Sequence, residues 1–506
     1  MAILLAAFAL SSCTRPALDA NTLVIGEAQE PDSLDPRLAN LAVANDIFAL
    51  TRDGLVKFGP HGEILPDLAI EVPSRANCGI SADGRTIVYH LRRNVRWSDG
   101  SPVTARDVIF TWRSLVDPRA NVPVRGGYAR IGAIDAPARW TVRIHLKAKY
   151  APALSLFADT RQGALVSSHS PAIGTGPYRL VAWHRGSELV FERNPYADRR
   201  AVFARVVIRI IPNEQGLVLA LLTGEVEVAL HLSAPALTPL QSERSLQIVA
   251  TPTFQWEHLT FNLRSGSGPQ SNVHVRRAIA YALDPIRIRT QLFGGYAGLA
   301  PLDQGPDSWA RDPHVHFYPF DLRAARRELR LAGIAHPQMT LVSATGDEER
   351  YWLGIVTQAQ CKAAGIDVAL KNVSANLLLA AANDGGLLMG GRFQIALFSY
   401  IAVSPDPDDS RFVLSDSMPP NGVNVAAYSN PRVDALVRSA VDEFDRSTRA
   451  RAYAAEQRVL IRDLPFYTLF WRVDAIVAPA SMRGLHPIPV GSPLWNVAQW
   501  RETHRG

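Results

Sequence analysis

Apolar positions along this chain fall into short blocks whose spacing switches between two and about 3.6 residues, as in a chain that alternates strands with helices. A brief apolar run from Leu23 to Ile25 predicts a strand, and Pro31 and Pro36 then break the chain into a loop. The stretch ANDIFALTRDGLVKF reads as an amphipathic helix ending near Asp53-Gly54. Apolar and polar residues alternate from Ile87 to Leu91, and a turn is marked at Ser98-Asp99-Gly100. Thr104 with Asp107 three residues on is a capping-box variant, opening a helix whose Val108, Trp112 and Leu115 share one face. Two strands are predicted around Tyr178 to Trp183 and Glu188 to Glu192, joined at Arg185-Gly186. VRRAIAYALDPIRI (275–288) predicts one helix and YPFDLRAARRELRLAGI (318–334) another, stopped at Gly333. Residues 432–471 predict two long helices and then a mostly apolar strand. Mixed throughout, these elements predict an α/β chain.

The N-terminus departs from that pattern. MAILLAAFALSS carries no charge and is followed by Cys13. The run is too short for a transmembrane helix, which needs roughly 20 residues, but it suits the apolar core of a secretory signal. Leu10-Ser11-Ser12-Cys13 is similar to the lipobox of bacterial lipoproteins, so Cys13 is expected to carry a lipid anchor on an exported protein. No Lys or Arg precedes the apolar run, which predicts a start codon further upstream.

At 506 residues the chain has room for about three lobes. With 47% hydrophobic and 20% charged residues and no second apolar run of membrane-spanning length, it reads as a globular body on a tether. The net charge of +6 and pI near 9.3 do not point to nucleic acid. Lysine occurs only at Lys57, Lys147, Lys149, Lys362 and Lys371, and the arginines that make up the rest are spread without a basic block. Cys78 and Cys361 lack any CxxC spacing and are expected as two separate, mostly buried thiols.

The chain carries no Gly-x-Ser-x-Gly elbow, His-Glu-x-x-His helix or P-loop. His314 and His316 lack a third ligand nearby in sequence and read as surface or loop histidines. SPDPDDS (404–410) lacks the Asp-x-Asp-x-Asp-Gly spacing and distal Glu of a calcium loop, and GGLLMGG (385–391) lacks a phosphate-binding lysine. No metal, cofactor or catalytic residue is therefore expected. GTGPY (174–178) has the glycine and proline density of a sharp backbone crossing.

The order of the motifs is more informative than any one of them. SLDP (33–36), DGRTIVYHLRRNVRWSDGSPVTARDVIFTW (83–112), GTGPYRL (174–180), FN (261–262), VRRAIAYALD (275–284) and SPDPDD (404–409) follow one another along the chain. In that order the sequence resembles the peptide/nickel family of extracytoplasmic solute-binding proteins, the receptors of ABC importers. The resemblance implies a periplasmic-binding-protein type II fold, two lobes with a hinge plus an additional domain. Expected bounds are 1–20 for the signal segment, 21–58 with 165–255 and 475–506 for the first lobe, 59–164 for the additional domain and 256–474 for the second lobe. It implies a monomeric receptor in the periplasm or cell envelope, held to the membrane through Cys13. Its partners would be a small, peptide-like solute and the permease and ATPase subunits, with no nucleic acid.

By position in the family, ligand contacts are expected from Asn40 and Ala42 after SLDP, from Trp256 and His258 before FN, and from Ser399, Tyr400 and Val403 before the acidic-Pro pair. Tyr128 is expected to approach from the additional domain. In the family's peptide receptors an aspartate three residues before the acidic-Pro pair holds the ligand's ammonium group. Here that position is Val403, and Asp406 is the nearest carboxylate, though its proline neighbour suits a structural turn. Ordinary free-amine peptides are therefore expected to bind poorly. A receptor for a metal chelate, opine or saccharide stays open, as does a sensor or enzyme reusing the fold.

Overall fold

The computed structural model describes residues 21–39, 41, 43–60, 62–120, 122, 126–158, 163–401, 406–489 and 491–503. Its strands are labelled here in chain order: β1 Thr22–Glu27, β2 Thr86–His90, β3 Ile131–Ala138, β4 Thr141–Leu146, β5 Tyr178–His184, β6 Glu188–Arg193, β7 Arg205–Ile210, β8 Val228–Leu230, β9 Leu246–Phe261, β10 Gln338–Ala344, β11 Asp367–Val373, β12 Ile395–Ile401 and β13 Phe466–Pro479. Among the described residues ten of these form one sheet in the order β11-β10-β12-β9-β13-β8-β1-β7-β6-β5, and β2, β4 and β3 form a separate antiparallel sheet.

The large sheet reads as two sheets joined through β9 and β13. On one side β1 runs parallel to β7 and β8, and on the other β10 runs parallel to β11 and β12. Parallel strands need both faces covered, and every residue of β1 is buried accordingly. Three of the resulting cores mark the main bodies of the chain. One gathers Leu23, Ile25, Phe191, Ile208 and Trp500 around β1. A second gathers Leu259, Phe261, Ile279, Leu341 and Tyr467. The third packs Ile87, Tyr89, Trp97, Val108 and Phe157 around the small sheet.

Local chemistry accounts for the element ends. The helix Ala105–Val116 opens as its sequence predicts: the Asp107 carboxylate accepts the Thr104 N–H at 2.8 Å. Gly333 closes Leu322–Ala332 at φ +69. The single helix expected over 275–288 is instead two, Val273–Ala282 and Pro285–Phe293. Pro285 pushes the residue before it out of the helical region, and the Asp284 side chain then caps the second helix by accepting from Arg287 N–H. GTGPY is packed against the end of the helix Ala44–Thr51, where Gly176 N–H donates to Thr51 O at 3.0 Å. A Cβ on Gly174 would stand 1.8 Å from that same carbonyl oxygen.

Of the two separate thiols expected to be mostly buried, one is and one is not. Cys361 is buried, and burial pushes its thiol up to about 12, but Cys78 is exposed with φ +57 in a turn that presents its side chain outward. Both are unpaired. His314 and His316 lie exposed in a loop. No helix among the described residues is long and apolar enough to cross a membrane.

Candidate functional site

Among the described residues, strands β9 and β13 connect the two parallel halves of the large sheet, and they pair antiparallel from Leu246↔Pro479 to Thr260↔Phe466. Their register breaks between Pro252 and Trp256. Pro252 has no N–H for the ladder, and the residues that leave it find other partners: Thr253 Oγ1 donates to Arg472 O at 3.1 Å and Phe254 N–H to Pro489 O at 3.2 Å.

Beyond the break, the strand period of two separates two kinds of chemistry. One face is aromatic. Trp256 stacks on Trp471 at 5.7 Å and lies 4.4 Å from His258, whose ring stacks on Tyr400 at 4.8 Å. Trp256 is 1% exposed and His258 0%. Burial holds the His258 imidazole down at about 3, so it is neutral. Its Nδ1 lies 3.2 Å from Trp256 O and must carry the proton, which leaves Nε2 an acceptor without a partner. The Tyr400 hydroxyl donates to Val423 O at 2.6 Å.

The opposite face is ionic. Glu257, fully buried, accepts two bonds from Arg350 at 2.9 Å and one from Arg472 Nε at 2.8 Å. Arg472 also donates to Glu349 at 3.1 Å and to Asp347. Burial by itself raises Asp347, but Arg472 and Arg350 outweigh it and hold its carboxyl below the ordinary range. Asp347 caps the helix Glu348–Ala364, so this network fastens that helix to the crossing strands.

Beside the network lies a cavity of about 880 Å³. Its floor includes Phe470, Arg472 and Val473 of β13. Glu214 and Gln215 begin the helix Glu214–Thr223 on one side, and Asp347, Glu349 and Trp352 begin the other helix across from them. The cavity thus sits beyond the C-terminal ends of parallel strands from both halves, where open α/β sheets bind ligands, and its size suits a small molecule. Glu214, Asp347, Glu348 and Glu349 face it against Arg472 and His231.

His231, at φ +57 after β8, joins the cavity to a second cluster. Its Nε2 lies 2.9 Å from Asp46 and its Nδ1 2.8 Å from Asp474, with Glu27 at 3.8 Å. Burial, tempered by His231 and aided by Asp46, raises the Glu27 carboxyl to about 8. The flanking carboxylates outweigh the effect of burial on His231 and hold its imidazole well above the ordinary range.

Of the residues expected at the ligand, Asn40, Ala42 and Val403 lie outside the described residues, as does Cys13. Trp256, His258 and Tyr400 come together in one aromatic cluster, and none of them lines the cavity. Ser399 does not join them. It pairs with Glu257 across the strands and accepts from Arg350 and Gln255 at 3.1 Å each, because neighbours on a strand point to opposite faces. Tyr128 is 2% exposed in the core of the small-sheet body, edge-on to Phe157, its hydroxyl donating to Leu156 O. The ring packs within that core. Asp406 is in a buried ion pair with Arg449 at 2.6 Å, and Asp408 accepts the Tyr150 hydroxyl at 2.7 Å. Sequence reading missed Glu257, Arg350 and Arg472. The available signal was a lone Glu in TPTFQWEHLTF and a lone Arg in TLFWRVD, charges in apolar strands that must find partners.

Comparison with known proteins bears on this arrangement. Residues 63–419 match the model of the bacterial extracellular solute-binding proteins, family 5 Middle. The chain is 23% identical to the oligopeptide-binding protein OppA of Bacillus subtilis, over 92% of this chain and 90% of that one. The crystal structure of the ABC transporter substrate-binding protein CtaP of Listeria monocytogenes superposes with a TM-score of 0.82 at 23% identity, covering 96% of this chain and all of CtaP. That of NikZ of Campylobacter jejuni, solved with Ni(L-His), gives 0.76 at 22% identity, with 96% and 100% covered. These likenesses establish the α/β binding-protein fold, with two lobes and an additional domain.

Proposed function

The chain belongs to the bacterial extracellular solute-binding proteins, family 5, and from that membership we propose that it is the receptor of an ABC importer, capturing a peptide-like solute between its lobes and delivering it to the permease. The lobes take the bounds given by the sequence, with β9 and β13 as the hinge. The chain is exported, held to the membrane by a lipid on Cys13, and acts as a monomer without a catalytic step. Binding and release are then the whole of its chemistry, driven by closure of the lobes.

The observation that carries this reading is the cavity at the crossing strands, lined by helix N-termini from both halves of the sheet. A solute there touches both lobes at once, so its binding free energy favours the closed form. Relatives point to peptides: OppA of Bacillus subtilis is named for oligopeptides.

The solute is an N-blocked peptide or a non-peptide such as a metal chelate, opine or saccharide. Val403 cannot accept a bond from an ammonium group. Asp406 is committed to Arg449, and Asp408 already holds Tyr150, so neither carboxylate is available to replace the missing anchor. An ammonium group buried without a partner costs several kcal/mol, roughly a thousandfold in affinity. Calorimetry with matched free and N-acetylated peptides tests this: the acetylated series should bind at least as tightly. A clear preference for the free amine that Asp406→Asn weakens would show that the anchor has moved.

A further inference from the structure

Away from the crossing strands, three acids distant in sequence meet in the interior: Asp303 in a loop, Asp409 at the end of the acidic turn, and Glu456 on the helix Arg446–Asp463. One oxygen of each lies within 4.8 Å of the others, and the residues are 7%, 5% and 0% exposed. Clustering alone would not make a site, since carboxylic acids can share protons. A separate observation bears on what they hold. Both oxygens of Glu456 are buried without a hydrogen-bond partner, while Asp409 accepts from Gln304 Nε2 at 2.8 Å and stands beside Asp303 closely enough to share a proton with it.

No arginine, lysine or histidine among the described residues forms an ion pair with any of the three. Arg449, about two turns before Glu456 on the same helix, is held by Asp406 and Pro407 O. The groups that face Glu456 are the carboxylates of Asp303 and Asp409. Buried polar groups are almost always satisfied, and a fully buried Glu456 with neither oxygen bonded, facing two other buried acids, is a strong exception.

We propose that Asp303, Asp409 and Glu456 form a binding site for a calcium ion. The donors are all carboxylate oxygen, with no nitrogen or sulfur, which selects a hard cation. Calcium tolerates irregular sets of six to eight oxygens, which three carboxylates and neighbouring carbonyls can supply, whereas magnesium demands a regular octahedron. The ion would tie the acidic turn and the loop at Asp303 to the helix Arg446–Asp463. The spacing of SPDPDDS gives no sign of this, because two of the three ligands come from elsewhere in the chain. The inference is independent of the function proposed above.

The test uses the full-length protein, stripped with a chelator and equilibrated by dialysis against calcium or magnesium in the millimolar range of extracellular sites. Elemental analysis should find one calcium per chain, and the melting temperature should rise with calcium and much less with magnesium. Glu456→Gln keeps the side-chain shape and relieves repulsion, so it should fold, bind calcium at least about tenfold more weakly and lose the thermal shift. Should that variant fail to fold, the wild-type measurements decide. No calcium uptake and an unmoved melting temperature would overturn the site in favour of shared protons. Equal uptake by wild type and Glu456→Gln would overturn it too, by placing the ion elsewhere.

Discussion

At the residue scale, buried ionisable groups set how stability depends on pH. Glu27 titrates near 8 when folded against an ordinary 4.5. A raised value means that its contribution is complete below about 4.5 and is lost as pH rises to about 8, and the raised His231 adds loss on the same alkaline side. His258 acts oppositely: with a folded value of about 3 against 6.5, it costs stability as pH falls below about 6.5. Thermal melts across this range should show wild type losing stability toward alkaline pH, and Glu27→Gln should flatten that limb while leaving the acid limb in place. An unchanged alkaline limb would assign the effect to other groups. The pair Asp406–Arg449 makes a different point. Burial outweighs Arg449 and leaves Asp406 raised, so the pair fixes the turn more than it stabilises the fold. Arg449→Met alone should cost about 3–5 kcal/mol by stranding the acid, and adding Asp406→Asn should recover much of it in urea titrations.

At the element scale, what was legible in the sequence was what is encoded locally. The capping box at Thr104, the stop at Gly333 and the two strands around Arg185-Gly186 each need only a few neighbouring residues, and each stands where it was expected. Pro285 shows where local reading slipped. Ile279 and Leu283 kept helical spacing, but the proline ring decides the backbone before it, and one expected helix became two. Ser399 and Tyr400 were placed together by adjacency in sequence, which a strand turns into opposite faces. The Glu257 network and the Asp303–Asp409–Glu456 cluster were not legible, because their members meet only after β9, β13 and the long helix have packed. GTGPY gives the sharpest test at this scale. Gly174→Ala drives a methyl into the Thr51 carbonyl and should cost about 1–3 kcal/mol or more. Gly186→Ala, in open space at φ +72, should cost only about 1 kcal/mol. Equal costs would contradict the close crossing.

At the scale of the whole molecule, two parallel half-sheets share only β9 and β13, and the register break at Pro252 falls within that crossing. On the proposed reading the halves rotate about this connection, and the cavity opens and closes with them. A receptor built this way holds its solute without altering it, and a solute that binds only the closed form stabilises the protein in proportion to its concentration. The most direct measurement is native mass spectrometry of the protein purified from the cell envelope without denaturation. A single small solute should accompany the folded chain, be released intact on unfolding, and rebind to the emptied protein with a rise in melting temperature. Recovery of that solute in chemically altered form after incubation with the pure protein would contradict a receptor and point to an enzyme.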